Sequence, residues 1–182
     1  MGALGARGAV HLRARIVPTA RLFALAQALA GAARQTGCWV VVNDRVDVAL
    51  AAEAYGVQLT SRSMRVADAR AIAPALALGA SVHAADEAGT AEAEGASWVV
   101  AGHVFETASH PGEPGRGMRF AEALRAATRL PCVAIGGIRP AHVRALRDVG
   151  MYGVAAITGI WGAADAERAA ADYLSAYDEQ SV

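Results

Sequence analysis

Two stretches late in the chain decide the fold: Cys132-Val133-Ala134-Ile135-Gly136-Gly137 and Gly153-Val154-Ala155-Ala156-Ile157-Thr158-Gly159-Ile160. Each is an apolar run that ends in small residues, as a buried strand does when its backbone must come close to a ligand. In a (β/α) barrel, the loops after the last two strands form a phosphate site from main-chain N–H groups and a short helix N-terminus. Gly136, Gly137, Thr158 and Gly159 are the candidate phosphate-binding residues on that ground.

Upstream, β-branched runs alternate with alanine-rich stretches. Strands are expected at Val10–Ala14, Trp39–Asn43, Gly56–Thr60, Ala80–Ala84, Trp98–Val104, Cys132–Gly136 and Gly153–Thr158. Helices are expected at Thr19–Gln35, Val46–Ala54, Ala67–Ala77, Ala85–Ala93, Phe120–Thr128, Pro140–Val149 and Ala164–Tyr177. Pro140 suits a first helical position, and Gly95 and Gly150 sit where helices stop. Strict alternation leaves an open doubly wound sheet or a barrel. A dinucleotide fold would carry G-x-G-x-x-G after an early strand, and no such run follows one here. The fold expected is α/β, a TIM (β/α)8-type barrel, as a single domain over residues 1–182. The strand count falls one short of eight.

Composition narrows the chemistry. The 182 residues carry 17 basic and 17 acidic side chains, for a formal net charge of zero, and 54% are hydrophobic. Neutrality argues against nucleic-acid binding through phosphate contacts and against a polybasic membrane anchor. Every basic residue is arginine, so Schiff-base chemistry on lysine is excluded. Cys38 and Cys132 lack metal-ligand spacing and read as small buried hydrophobes of a reducing compartment. No apolar stretch reaches the ~20 residues of a membrane span, and the expected location is cytoplasmic.

Polar residues interrupt the apolar company at strand ends: Arg13, Asn43 with Asp44, Gln58, His83 and His103. Barrel chemistry sits at that end. His103, beside Gly102, is the candidate for proton transfer, since an imidazole titrates near neutrality. A strand-end Asn or Gln can equally be a loop hydrogen-bonder. The run Pro111-Gly112-Glu113-Pro114-Gly115-Arg116-Gly117 suits a mobile lid or a plain surface loop.

Taken together, His11-Leu12-Arg13, Val42-Asn43-Asp44-Arg45-Val46-Asp47, Gly56-Val57-Gln58-Leu59, Ser81-Val82-His83, Gly102-His103-Val104-Phe105-Glu106-Thr107 and Ala134-Ile135-Gly136-Gly137-Ile138 resemble the thiamine phosphate synthase superfamily. Within it, the Gly-His-Val-Phe-Glu-Thr form resembles the TenI-like thiazole tautomerases. That resemblance implies an isomerase that aromatises a carboxythiazole ethyl phosphate. A proton leaves the ring carbon bearing the carboxylate, and one is gained at the exocyclic carbon. His103 would move the proton, and Arg13 would hold the carboxylate or assist. Asn43, Gln58, His83 and Thr107 would line the substrate, and the Gly-Gly and Thr-Gly elements would take the phosphate. The implied ligand is a small phosphorylated thiazole. No metal or cofactor, no nucleic acid and no membrane enters the chemistry, and a homo-oligomer is compatible with it.

The alternative is the transferase, thiamine phosphate synthase, which holds a pyrimidine diphosphate through Mg²⁺ and two aspartates. Asp44 matches the first, whereas Ser63 stands at the second; His110 stands where the synthase has a lysine, and His103 where it has a proline. A third class is a non-catalytic phosphate-ligand-binding relative. The superfamily also has a strand and helix ahead of His-x-Arg, where this sequence offers only Met1–Ala9. Either the natural protein starts earlier, the favoured expectation, or a partner subunit fills the seam.

Overall fold

The computed structural model describes residues 1–14 and 16–179. Seven strands form one parallel sheet in chain order: β1 (Ala9–Leu12), β2 (Trp39–Asn43), β3 (Gly56–Leu59), β4 (Ala77–Val82), β5 (Trp98–Ala101), β6 (Cys132–Ile135) and β7 (Gly153–Ala155). Between and after them run α1 (Thr19–Thr36), α2 (Val46–Ala51), α3 (Val66–Ile72), α4 (Ala85–Ala93), α5 (Gly117–Ala127), α6 (Pro140–Asp148), α7 (Thr158–Trp161) and α8 (Ala166–Asp178). This is a TIM-type fold lacking one strand. β1 pairs only with β2, and β7 only with β6. Among the described residues no strand lies between them.

The helix side of the sheet explains the apolar runs. Val40, Val42, Val57, Leu78, Val99 and Ala134 are buried against helix residues such as Leu22, Ala26, Leu124 and Leu146. Full burial of a leucine side chain contributes about 1.5–3 kcal/mol. α1 ends where Gly37 takes a left-handed φ of 73° and returns its N–H to the Ala33 carbonyl, a conformation glycine adopts without penalty.

On the inner face, the Trp98 indole lies over Gly79 and Gly56, where any added Cβ would overlap it. Trp98 Nε1 donates to Gln58 Oε1 at 2.9 Å, and Gln58 Nε2 donates to Ser81 Oγ at 3.0 Å. The rings of Trp39 and Tyr55 stack at 4.5 Å beside this group.

Several expected bounds shift. β4 begins at Ala77 and ends at Val82, earlier than Ala80–Ala84, because Ala77 to Ala80 pair with Gly56 to Leu59. An Ala/Gly-rich segment has little intrinsic strand signal, so pairing decides. β5 stops at Ala101; Val104 and Phe105 instead donate to the Ile135 and Gly136 carbonyls at the end of β6. β7 stops at Ala155, and Thr158 opens α7 rather than closing a strand. No helix of the described residues is long and apolar enough to cross a membrane.

Candidate active site

The end of β6 is shaped by close backbone approach. Gly136 and Gly137 have φ of 97° and 63°. A Cβ on Gly136 would overlap His103 Cβ, and one on Gly137 would overlap the Glu106 carbonyl oxygen. The two glycines therefore dock the segment leaving β5 onto the turn leaving β6. The next turn joins through Tyr173 of α8. Its hydroxyl donates to the Ile138 carbonyl at 2.8 Å and fills the space a side chain at Gly159 would need. Burial pushes the Tyr173 phenol above its ordinary pKa. Gly136, Gly137, Thr158 and Gly159 thus sit on adjacent turns at one end of the strands, with Thr158 and Gly159 exposed. Backbone in that arrangement suits an anionic group without any lysine.

His103 is buried, only 6% exposed, and faces the loop rather than open solvent. Its Nε2 lies 3.2 Å from the Pro114 carbonyl, and its ring stacks on His110 at 4.5 Å between centroids. The loop between β5 and α5 is thereby pinned over the imidazole. Arg116 adds a second tie, donating to the His83 carbonyl at 2.7 Å with its guanidinium over the Phe120 ring. His110, Pro114 and Arg116 belong to this construction, though spacing alone had marked only a glycine-rich run.

The other candidates divide. Asn43 donates to Asp44 Oδ2 at 2.5 Å. Gln58 is 2% exposed and spends both ends of its amide on Trp98 and Ser81, so it orders the inner face rather than the mouth. His83 lies just past β4, exposed, with its backbone N–H on Glu87. Arg13 lies just past β1, exposed beside His11. His11 is held below its ordinary pKa by desolvation, opposed by its hydrogen bond with Asn43. Thr107 Oγ1 accepts from the Ser109 N–H, shaping the loop.

A cluster that spacing did not assemble surrounds Asp44, which has φ of 62°. Its Oδ1 accepts from Thr60 Oγ1 at 3.0 Å and also from Ser63 Oγ. Mg²⁺ requires several hard oxygen ligands in near-octahedral array. Asp44 supplies one carboxylate, already bonded to three side chains, and the described residues hold no group of three or more His, Cys, Asp or Glu that suits a metal. The residues present do not fit the ion that the superfamily's transferase implies.

Two recesses lie at the opposite end of the strands, lined by residues that include Glu92, Arg125, Arg129 and Arg147. There Arg125 and Arg147 are tied to main-chain carbonyls. Cys132 sits alongside; burial raises its thiol pKa, as it does that of Cys38. These are packing features.

Residues 3–160 match the family described as thiamine monophosphate synthase. The chain belongs to that family. The thiamine-phosphate synthase of Pyrococcus furiosus is 34% identical over 175 residues, covering 96% of this chain and 84% of that protein. The thiamine-phosphate synthase of Moorella thermoacetica is 38% identical over 173 residues, covering 93% and 82%. The solved thiamine phosphate pyrophosphorylase from Pyrococcus furiosus superposes with a TM-score of 0.89 at 33% identity, over 97% of this chain and 86% of that one. A 3-hexulose-6-phosphate synthase superposes with a TM-score of 0.74 at 21% identity and shows the fold alone. The superfamily resemblance is thereby established. Within it these relatives bear the transferase's name, so they support the alternative over the isomerase, which gains nothing from them.

Proposed function

We propose that the protein is a thiamine-phosphate synthase, joining a pyrimidine carried as its diphosphate to a small phosphorylated thiazole: the bond to the thiazole forms as the carbon–oxygen bond to the diphosphate breaks, and pyrophosphate leaves. The observation that supports it is the identity of 34–38% with thiamine-phosphate synthases across more than nine-tenths of the chain. The phosphorylated thiazole would seat its phosphoryl group on the turns at Gly136–Gly137 and Thr158–Gly159. Peptide N–H groups and the opening turn after β7 replace the lysine that the sequence lacks. The loop held by His103 and Arg116 would cover the ligand and exclude water. A cytoplasmic location belongs to the same proposal.

Two observations favour tautomerisation as a second reading: Asp44 faces the neutral Ser63 hydroxyl, and the buried His103 imidazole sits beside the glycine turn. Arg13 would then pair with the substrate carboxylate through its two-pronged fork. Purified protein is incubated with the pyrimidine diphosphate, the thiazole phosphate and Mg²⁺, and products are separated by chromatography. In parallel, ultraviolet absorbance follows aromatisation of the carboxythiazole phosphate. Time-dependent thiamine phosphate supports the transferase. Aromatisation without it transfers the assignment to the isomerase, and neither product with phosphate binding intact leaves a binding protein.

A further inference from the structure

We infer that Ser63 withholds a divalent-cation site from Asp44, so that in this chain the Asp44 carboxylate works as a hydrogen-bond acceptor rather than a metal ligand. An ionised carboxylate offers about four lone-pair positions. Three are engaged here: Thr60 and Ser63 hydroxyls on Oδ1, and the Asn43 amide on Oδ2. Ser63 is itself fixed, since its Oγ accepts the Thr60 backbone N–H at 2.7 Å. The hydroxyl thus arrives at the carboxylate with its proton directed there. A cation at Asp44 would have to turn both hydroxyls away and lose hydration, with a single negative charge as compensation.

The surrounding charge does not make up the difference. Asp47, the nearest acid along the chain, is committed to Arg45, which donates to it through Nε at 2.8 Å and Nη2 at 2.5 Å. That pairing holds the Asp47 carboxyl below the usual carboxylate range. Residue 63 is therefore the position at which one side chain decides whether this end of β2 and β3 presents one carboxylate or two. A carboxylate there would face Asp44 directly, and two like charges in contact are relieved by a cation.

The inference sets this chain apart from the two-aspartate Mg²⁺ arrangement that the transferase resemblance implies, and it is tested with Mn²⁺ alone, so its outcome is read separately from either activity. Free Mn²⁺ is titrated by electron paramagnetic resonance against wild type, Asp44→Asn, Ser63→Asp, Ser63→Ala and the double variant Ser63→Asp/Asp44→Asn, each checked for folding by circular dichroism. Wild type and Ser63→Ala are expected to show no saturable site below the millimolar range. Ser63→Asp is expected to bind one ion at least tenfold more tightly than wild type, and the double variant to lose it. Stoichiometric micromolar binding by wild type that Asp44→Asn removes would overturn the inference. So would a folded Ser63→Asp protein that binds no better than wild type. Tight binding by Ser63→Ala would overturn the requirement for a second charge, and that test remains if Ser63→Asp does not fold.

Discussion

The Glu106 carbonyl oxygen occupies the space that a side chain on Gly137 would need, so the loop after β5 and the turn after β6 are built as one surface. Gly137 also holds φ at 63°, where an L-residue costs roughly 1–2 kcal/mol. Gly137→Ala is expected to weaken thiazole phosphate binding at least tenfold by calorimetry. Affinity equal to wild type would show that the close approach does not shape the ligand site.

The inner face is equally tight around Trp98. Gly79→Ala forces a methyl group into the indole and the Gln58 amide, and overpacking of this kind costs about 1–3 kcal/mol. A clear fall in Tm is expected by calorimetric unfolding, while Gly112→Ala, whose Cβ meets nothing within 4 Å, should lose only what its φ of 81° imposes. Similar losses in both variants would remove packing against Trp98 as the cause.

Glu92 joins α4 to the end of α5. It accepts from the Thr128 hydroxyl at 2.5 Å and from the Arg129 N–H at 3.0 Å. The Thr128 hydroxyl bond, then the Arg129 backbone bond, hold its carboxyl below the ordinary pKa. With the folded value depressed, this contribution is present above the unfolded carboxylate value, about 4.3. It is lost as pH falls through the folded value. Tm of wild type should exceed that of Glu92→Gln at pH 7, with the gap closing as pH falls below the ordinary carboxylate range and through the depressed folded value. A gap independent of pH would assign the difference to something other than ionisation.

His103 pins the loop between β5 and α5 through Pro114 and His110. His103→Ala should speed proteolytic cleavage within residues 106–116 several-fold at 25 °C, since loop opening governs cleavage when reclosing is fast. Cleavage unchanged from wild type would mean that the imidazole is not what holds the loop, leaving Arg116 and the backbone bonds from Arg116 and Gly117 to His103 and Val104.

The sequence showed the barrel because its central strands β2 to β5 are largely buried and read as nearly unbroken apolar runs, with β2 bounded correctly at Trp39–Asn43. β4 was misplaced because, apart from Leu78, Ala77 to Ala80 are alanine and glycine with little strand signal and take their register from β3. The glycines after β6 stood out as the end of an apolar run, but the sequence tied them to a phosphate, whereas the close approach seen here is to His103 and Glu106. The pairing of Asp44 with Ser63 was implied by the family resemblance alone, and the Thr60 contact by nothing in the sequence: Thr60 and Ser63 lie on a turn after β3 and meet Asp44 because β2 and β3 pair in register. Gln58 looked like a mouth residue because strand-end polarity does not say how deep a side chain lies. Its partner Trp98 comes from the far side of β4.

The proposed phosphoryl seat is tested most directly by backbone-amide NMR of the labelled protein titrated with the thiazole phosphate. The expected result is saturable shifts concentrated at the N–H groups of Gly136, Gly137, Thr158 and Gly159, with little change at Arg125 and Arg129 on the opposite end. Shifts that bypass those four amides, or that gather at the arginine end, would contradict it.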